Sequence, residues 1–198
     1  IYFTPQLYWP INRQAQSFPV LLGWWSGENV MKRHLWPGMS VGRDTSVRSV
    51  NETLNQIMIT RGMVPESKGA VHWSISSVTK NPNLAKTLLE STYKKQALVP
   101  SSPWLDNKAP EMPVITINKS DKLNINWNHT DEKDVFRWVV YYKYGNNWNY
   151  VILNRNDRTY SLNITFEINK TTVNLTQVAV TAVDRTGNES VRKEITIQ

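Results

Sequence analysis

Large aromatic side chains are the residues of this sequence best suited to ligand binding. The chain has nine tryptophans, and six of them lie in the first 108 residues. These six are Trp9, Trp24, Trp25, Trp36, Trp73 and Trp104. Tryptophan rings supply core area, but they also stack on flat ligands such as sugar rings and bases. The aromatic pattern therefore leaves core packing and a stacking site as alternatives.

Acidic residues, the usual general acids and bases, are sparse in the first half. Residues 1–108 carry six carboxylates, which are Glu28, Asp44, Glu52, Glu66, Glu90 and Asp106. Glu52 and Glu90 fall on predicted helices as outward charges, so Glu28 and Asp44 are the better candidates for a catalytic role. The three histidines lack the spacing of a metal site, and the chain has no phosphate-binding loop or nucleophile elbow. We therefore expect neither a metal nor another cofactor.

Composition places the chain among globular proteins of one or two domains. It has 198 residues, of which 40% are hydrophobic and 20% charged. It has no cysteine, which excludes disulfides, thiolate zinc sites and cysteine nucleophiles. The formal net charge is +7, but the basic residues are scattered, so we expect a solvated surface and no nucleic-acid partner. No apolar run reaches the ~18 residues of a membrane span.

The first half alternates strand-like segments with helical patterns. The strand-like segments are Ile1–Pro10, His34–Val41 and Gly69–Ser76. Apolar residues at helical spacing predict helices at Asn51–Gly62 and Asn83–Ala97, and Pro19–Trp25 predicts a short one. Strands that alternate with helices in this way are typical of βα units with a parallel sheet.

The second half has the pattern of an all-β domain. Pro100–Pro113 is rich in proline and predicts a linker that packs on a domain. The segment Leu123-Asn124-Ile125-Asn126-Trp127 alternates strictly, and Arg137–Tyr144 is aromatic and β-branched. About seven such strands in about 90 residues predict a β-sandwich. We place the domain boundary between Lys108 and Ala109.

Four features of the second half carry a resemblance to a known family. They are Ala109-Pro110 followed by Pro113, Trp127 in the second strand, the run Phe136–Tyr142, and the strand and turn Val178–Ser190. Through them residues 109–198 resemble a fibronectin type III module. The resemblance implies an immunoglobulin-like β-sandwich that acts as a spacer or a packing partner.

Four motifs of the first half carry a second resemblance. They are Thr4–Pro10, Trp24–Ser26, His34–Gly38 and Gly69–Ser74. Together they make residues 1–108 similar to the C-terminal part of the bacterial glycosyl hydrolase-like family 10, a (β/α)8-barrel group. The implied fold class is α/β plus all-β: a partial (β/α)8 barrel, consisting of the last three βα units, followed by the sandwich.

The barrel resemblance implies where substrate would bind. Active sites of such barrels lie at the carboxyl ends of the strands. On this ground we expect substrate-binding roles for Gln6, Tyr8, Trp36, His72 and Trp73. The aromatic rings would cover sugar faces, and the amide and imidazole would hydrogen-bond hydroxyls. Packing is the alternative for Tyr8, Trp36 and Trp73, and a structural role is the alternative for His72.

The chain also resembles a fragment, because it holds only three of eight βα units. Glycoside hydrolysis usually needs two carboxylates ~5–9.5 Å apart. We expect most of the family's acidic residues on the missing strands, so the catalytic residues stay unassigned and the fragment is expected to be inactive alone. The open barrel edge predicts self-association. By resemblance, we expect a bacterial periplasmic or cell-surface protein that acts on a carbohydrate polymer or oligosaccharide.

A non-catalytic carbohydrate- or protein-binding protein is the alternative function. In that case the sandwich would recognise the ligand through its aromatic residues. These are Trp138, Tyr141, Tyr142, Tyr144, Trp148 and Tyr150. Half of them must face the core if the strands alternate. Loss of glycan binding in Trp36→Ala or Trp73→Ala would favour the barrel cleft, and loss in Trp148→Ala alone would favour the sandwich.

Overall fold

A computed structural model describes residues 2–42, 47–64 and 69–197. The chain divides into two compact units, residues 1–95 and residues 96–198. In the described residues, no helix combines the length and apolar composition that a membrane crossing requires.

The first unit alternates short strands with helices, as the sequence predicts. Its strands are β1 (Tyr2–Phe3), β2 (His34–Leu35), β3 (Gly38–Ser40) and β4 (Val71–Trp73). Its helices are α1 (Phe18–Glu28), α2 (Val47–Met63), α3 (Ile75–Thr79) and α4 (Pro82–Glu90). Helix α1 has a proline in its first turn, and the Asn81 side chain caps α4 by accepting from the backbone N–H of Leu84.

The strands of this unit form a parallel sheet. Strand β1 pairs with β2, and β3 pairs with β4. The backbone N–H of Leu7 donates to the carbonyl of Gly38 at 2.8 Å, and the N–H of Gly38 donates to the carbonyl of Pro5 at 2.8 Å. The residues that follow β1 therefore pair with β3, and the pairing continues from β2 into β3. Proline has no N–H to offer, which accounts for the interruption at Pro37. Three parallel strand paths with helices between them confirm the predicted βα order; they do not by themselves form a barrel.

The helices cover one face of this sheet. Side chains alternate along the middle path, and Leu35, Met39 and Val41 point to the covered face. They pack against buried residues of three helices, which are Phe18 and Leu22 of α1, Val50 and Ile57 of α2, and Leu84 and Leu88 of α4. The opposite side of the sheet, called the solvent face here, carries the side chains of the residues that alternate with these buried ones along the strands.

Helix α4 is shorter than predicted. The apolar spacing predicts a helix through Ala97, but α4 ends at Glu90. The backbone N–H of Tyr93 donates to Leu88 at 2.8 Å, which turns the chain out of the helix. The phenol of Tyr93 then reaches His72, a tertiary contact that the sequence does not reveal.

The second unit is an antiparallel β-sandwich, as predicted. One sheet consists of β5 (Val114–Lys119), β6 (Lys122–Asn128) and β9 (Thr159–Asn163), in that order. The other has the order β10 (Thr165–Ile168), β11 (Thr171–Val183), β7 (Arg137–Tyr144) and β8 (Asn147–Asn154), with β12 (Ile195–Thr196) also beside β11. Both sheets contribute to one core, in which Trp127 and Trp138 meet edge to face with ring centroids 6.0 Å apart.

Residues 96–108 belong to the sandwich unit, so the division lies earlier than the predicted boundary at Lys108. The backbone N–H of Ser102 donates to Thr186 at 2.8 Å. The Asn188 amide donates to the carbonyls of Asp106 and Lys108 at 3.0 and 3.2 Å. These contacts fix the segment on the turn after β11 and explain why the proline-rich stretch packs with the sandwich.

Candidate functional site

The solvent face of the parallel sheet gathers most of the predicted substrate-binding residues. The register places Tyr2 opposite His34, Gln6 opposite Gly38, Gly38 opposite Val71, and Ser40 opposite Trp73. Residues paired in register point to the same side of a sheet. Gln6 and Trp73 therefore share the solvent face, and both side chains are exposed, Trp73 by 64%.

Gly38 leaves a gap in the middle of this face. A Cβ atom there would lie 3.3 Å from the carbonyl oxygen of Pro5 and 3.5 Å from Cε1 of Tyr8. The Tyr8 ring therefore lies over Gly38, at the carboxyl end of the first strand path. Gln6, Tyr8 and Trp73 thus lie on the solvent face, towards the carboxyl ends of their strands.

Trp36 lies nearer to the amino end of the sheet than predicted. It precedes β3, and the carboxyl end of its strand path is Ser40–Val41. Its indole stacks on Tyr2, with centroids 4.4 Å apart, and on His34, with centroids 5.6 Å apart. A Cβ on Gly69 would approach its Nε1 to 3.0 Å. Trp36 therefore packs on Tyr2 and His34, on the solvent face but nearer to the amino ends of the strands than Gln6 and Trp73.

His72 lies on the opposite side of the sheet from Trp73. Its register partner is Met39, which is buried beneath the helices. Its Nε2 forms a 2.6 Å hydrogen bond with the hydroxyl of Tyr93, and burial lowers the pKa of the imidazole. Consecutive strand residues point to opposite faces, so His72 and Trp73 cannot both line one wall. The structure therefore separates these two predicted substrate-binding residues, and strand alternation was the signal in the sequence for this separation.

The carboxylates of the first unit do not form a catalytic pair among the described residues. Glu28 is the last residue of α1, which runs against the strands, so it lies towards their amino ends. Asp44 and Glu66 lie outside the described residues. Glu90 is an exposed outward charge, 3.9 Å from Lys86. In the described part of the chain, no three potential metal-ligating side chains come together.

Glu52 and Gln56 hold the loop that follows the first strand path, a role that the sequence did not reveal. Glu52 Oε1 accepts from the backbone N–H of Ile11 at 2.7 Å and from Gln56 Nε2 at 3.0 Å. Gln56 Nε2 also donates to the carbonyl of Trp9 at 3.1 Å. Glu52 is therefore no simple outward charge. It fixes the chain next to Tyr8, and its i, i+4 spacing from Gln56 was the available signal.

The aromatic residues of the sandwich divide between its core and its outer surface. Trp138, Tyr142 and Tyr144 point inward and pack in the core. Their neighbours Tyr141, Trp148 and Tyr150 lie on the outer side of the sheet, as alternation requires. The Arg192 guanidinium lies 3.9 Å from the Trp148 ring centroid and 4.2 Å from that of Tyr141. Arg192 therefore already covers part of the surface that a sugar would stack on.

The chain is similar in sequence to a curated protein. The chain is 37% identical over 129 residues to the glycosyl hydrolase YngK of Bacillus subtilis strain 168. The match covers 61% of this chain but only 25% of that protein, so the chain spans about a quarter of the relative's length. No family model matches the chain.

Solved structures similar to the chain include fibronectin type III domains and carbohydrate-active enzymes. A human collagen XX fibronectin domain matches 52% of this chain and 99% of its own, at 13% identity and a TM-score of 0.32. The Endo-D glycoside hydrolase domain of Streptococcus pneumoniae R6 matches 47% of this chain and 16% of its own, at 17% identity and a TM-score of 0.34. These TM-scores are too low to establish a shared function.

Proposed function

We propose that the chain is part of a glycoside hydrolase and contributes one wall of its substrate site. The similarity to a glycosyl hydrolase over 61% of the chain supports a protein that acts on carbohydrate. The observation that carries the proposal is the placement of Gln6, Tyr8 and exposed Trp73 on one face of the parallel sheet, towards its carboxyl edge. A tryptophan face covers the apolar face of a sugar ring, while an amide and a phenol hydrogen-bond its hydroxyls.

The three βα units would be the last units of a (β/α)8 barrel in a longer protein. In the described residues, β1 pairs only with β2, and β4 pairs only with β3, so each has an open edge. Open edges of a sheet favour pairing with further strands. Further βα units of a longer chain would supply these strands together with the catalytic carboxylates. Self-association through the same edges is the other way to cover them. We also propose that the longer protein is located in the periplasm or at the cell surface.

Glycan binding by the 198-residue chain tests the wall. A panel of neutral and acidic oligosaccharides identifies a ligand, and calorimetry then compares the wild type with Trp73→Ala. We expect the affinity to fall about fivefold, since aromatic stacking contributes on the order of 1 kcal/mol. Trp24→Ala is the matched control, because Trp24 is 55% exposed but lies on α1.

Three results would overturn this assignment. An equal loss in Trp24→Ala would show that the effect is not specific to the solvent face. Loss in Trp148→Ala with full binding in Trp73→Ala would move recognition to the sandwich. If no glycan of the panel binds, the solvent face does not bind carbohydrate by itself.

A further inference from the structure

A cavity on the helix-covered side of the first unit has the chemistry of an anion site. Its volume is about 270 Å3, roughly nine times the ~30 Å3 that one water occupies in the liquid. It lies between α2, the start of β4 and the turn after α4. Its lining residues are Ile57, Thr60, Arg61, Gly69, Ala70, His72 and Tyr93. Among the described lining residues, Arg61 is the one with a charge, and none is acidic.

The His72–Tyr93 pair always keeps one donor uncommitted. A neutral imidazole has one N–H and a phenol has one O–H, but the 2.6 Å bond between them uses only one of these protons. If the phenol donates to Nε2, the Nδ1–H remains, but Nδ1 is buried out of contact with solvent and has no hydrogen-bond partner among the described residues. If Nε2–H donates instead, the phenol O–H remains, and Tyr93 lines the cavity. This second arrangement is the one that offers a donor to a ligand.

Arg61 supplies positive charge next to this donor. One of its guanidinium nitrogens donates to the carbonyl of Thr92 at 2.8 Å, and the guanidinium carbon lies 5.8 Å from the centroid of the Tyr93 ring. A guanidinium has five N–H groups, so this bond leaves further donors. Thr60 already donates its hydroxyl proton to the carbonyl of Gln56 and can only accept from a ligand.

We propose that this cavity binds a small carboxylate through Arg61 and the His72–Tyr93 pair. One guanidinium balances a single negative charge, and its planar fork matches the two oxygens of a carboxylate. A phosphate dianion would leave a charge uncompensated. The apolar side chains Ile57 and Ala70 favour a ligand with a short hydrocarbon tail. The site is separate from the proposed glycan wall, because His72 and Trp73 point to opposite sides of the sheet.

Propionate is the probe, and propionamide is its uncharged control of the same shape. Both are titrated into the 15N-labelled chain at constant ionic strength, and the ring nitrogens of His72 are followed by two-bond correlation spectra. The chain has three histidines, so His72→Gln assigns the signals. We expect a saturable shift with propionate, a dissociation constant on the order of millimolar, and no saturable shift with propionamide.

Arg61→Gln should weaken propionate binding about tenfold or more, because it removes a charge-assisted contact. Arg13→Gln is the matched control, since Arg13 is exposed and does not line the cavity. Arg61→Lys keeps the charge and should retain more affinity than Arg61→Gln, which tests the proposal even if the glutamine variant is unstable. A linear response, equal binding of propionamide, or unchanged affinity in Arg61→Gln would overturn the proposal.

Discussion

Gly187, in the turn after β11, tests whether residues 96–108 are a structural part of the sandwich. Its φ is +86°, and a Cβ there would lie 2.8 Å from the carbonyl oxygen of Val99. The same Cβ would lie 3.0 Å from the carbonyl carbon and oxygen of Pro100. All three contacts are with backbone, so the docked segment must move if alanine replaces this glycine.

The cost of Gly187→Ala can be worked from two contributions. An L-residue with a left-handed φ costs about 1–2 kcal/mol. Displacement of residues 99–100 also strains or breaks the nearby bond from the Ser102 N–H to the Thr186 carbonyl, which contributes about 1 kcal/mol. The free energy of unfolding of the second unit should therefore fall by about 2–3 kcal/mol.

Gly145→Ala is the matched control for the left-handed backbone. Gly145 has a φ of +57°, but the nearest atoms that a Cβ would meet belong to the Val173 side chain at 3.9 Å. Its variant should lose only the backbone contribution, about 1–2 kcal/mol. Urea unfolding followed by hydrogen–deuterium exchange on peptides of each unit measures both losses. Equal losses in the two variants, or unchanged protection of the Ser102 amide in Gly187→Ala, would refute the docking argument.

Three further predictions concern side-chain contacts. Burial raises the pKa of Asp184, but hydrogen bonds from Asn188 and Thr186 outweigh this effect and hold the pKa below 3.8. The second unit should therefore become less stable as the pH falls below about 4, and this loss of stability should be absent in an acid titration of Asp184→Asn. Burial lowers the pKa of His72 below 6.5, so protonation favours the unfolded state. The first unit should therefore lose stability as the pH falls below about 6.5. Urea melts at several pH values measure this, and His72→Gln should reduce the dependence of the unfolding free energy on pH. Glu52→Ala should destabilise the first unit by about 1–3 kcal/mol and speed amide exchange at Ile11, whereas Glu90→Ala should cost well under 1 kcal/mol because its ion pair is exposed.

Local patterns in the sequence predicted the elements better than they predicted the site. The strict alternation at Leu123, Ile125 and Trp127 placed all three in the sandwich core, where each is at most 1% exposed. The βα order of the first half followed equally from apolar spacing and helix start signals. Both are local properties, because each depends on residues within one element.

Prediction of the candidate site required contacts between different strands and helices, which local sequence patterns do not specify. The stacking of Trp36 on Tyr2 follows from the register of two strands, which the sequence does not specify. Beyond the end of α4, the hydroxyl of Tyr93 contacts His72, a residue 21 positions earlier that the local pattern does not identify. The separation of His72 from Trp73 was different, because strand alternation already required it.

A crystal structure of the product of the complete reading frame tests most directly whether residues 1–95 are part of a larger (β/α)8 barrel. We predict that additional parallel strands pair with the open edges of β1 and β4, and that carboxylates from those strands face Gln6, Tyr8 and Trp73. If both edges remain unpaired by strands of the same chain, or if no carboxylate faces these three residues, the glycoside hydrolase account is contradicted.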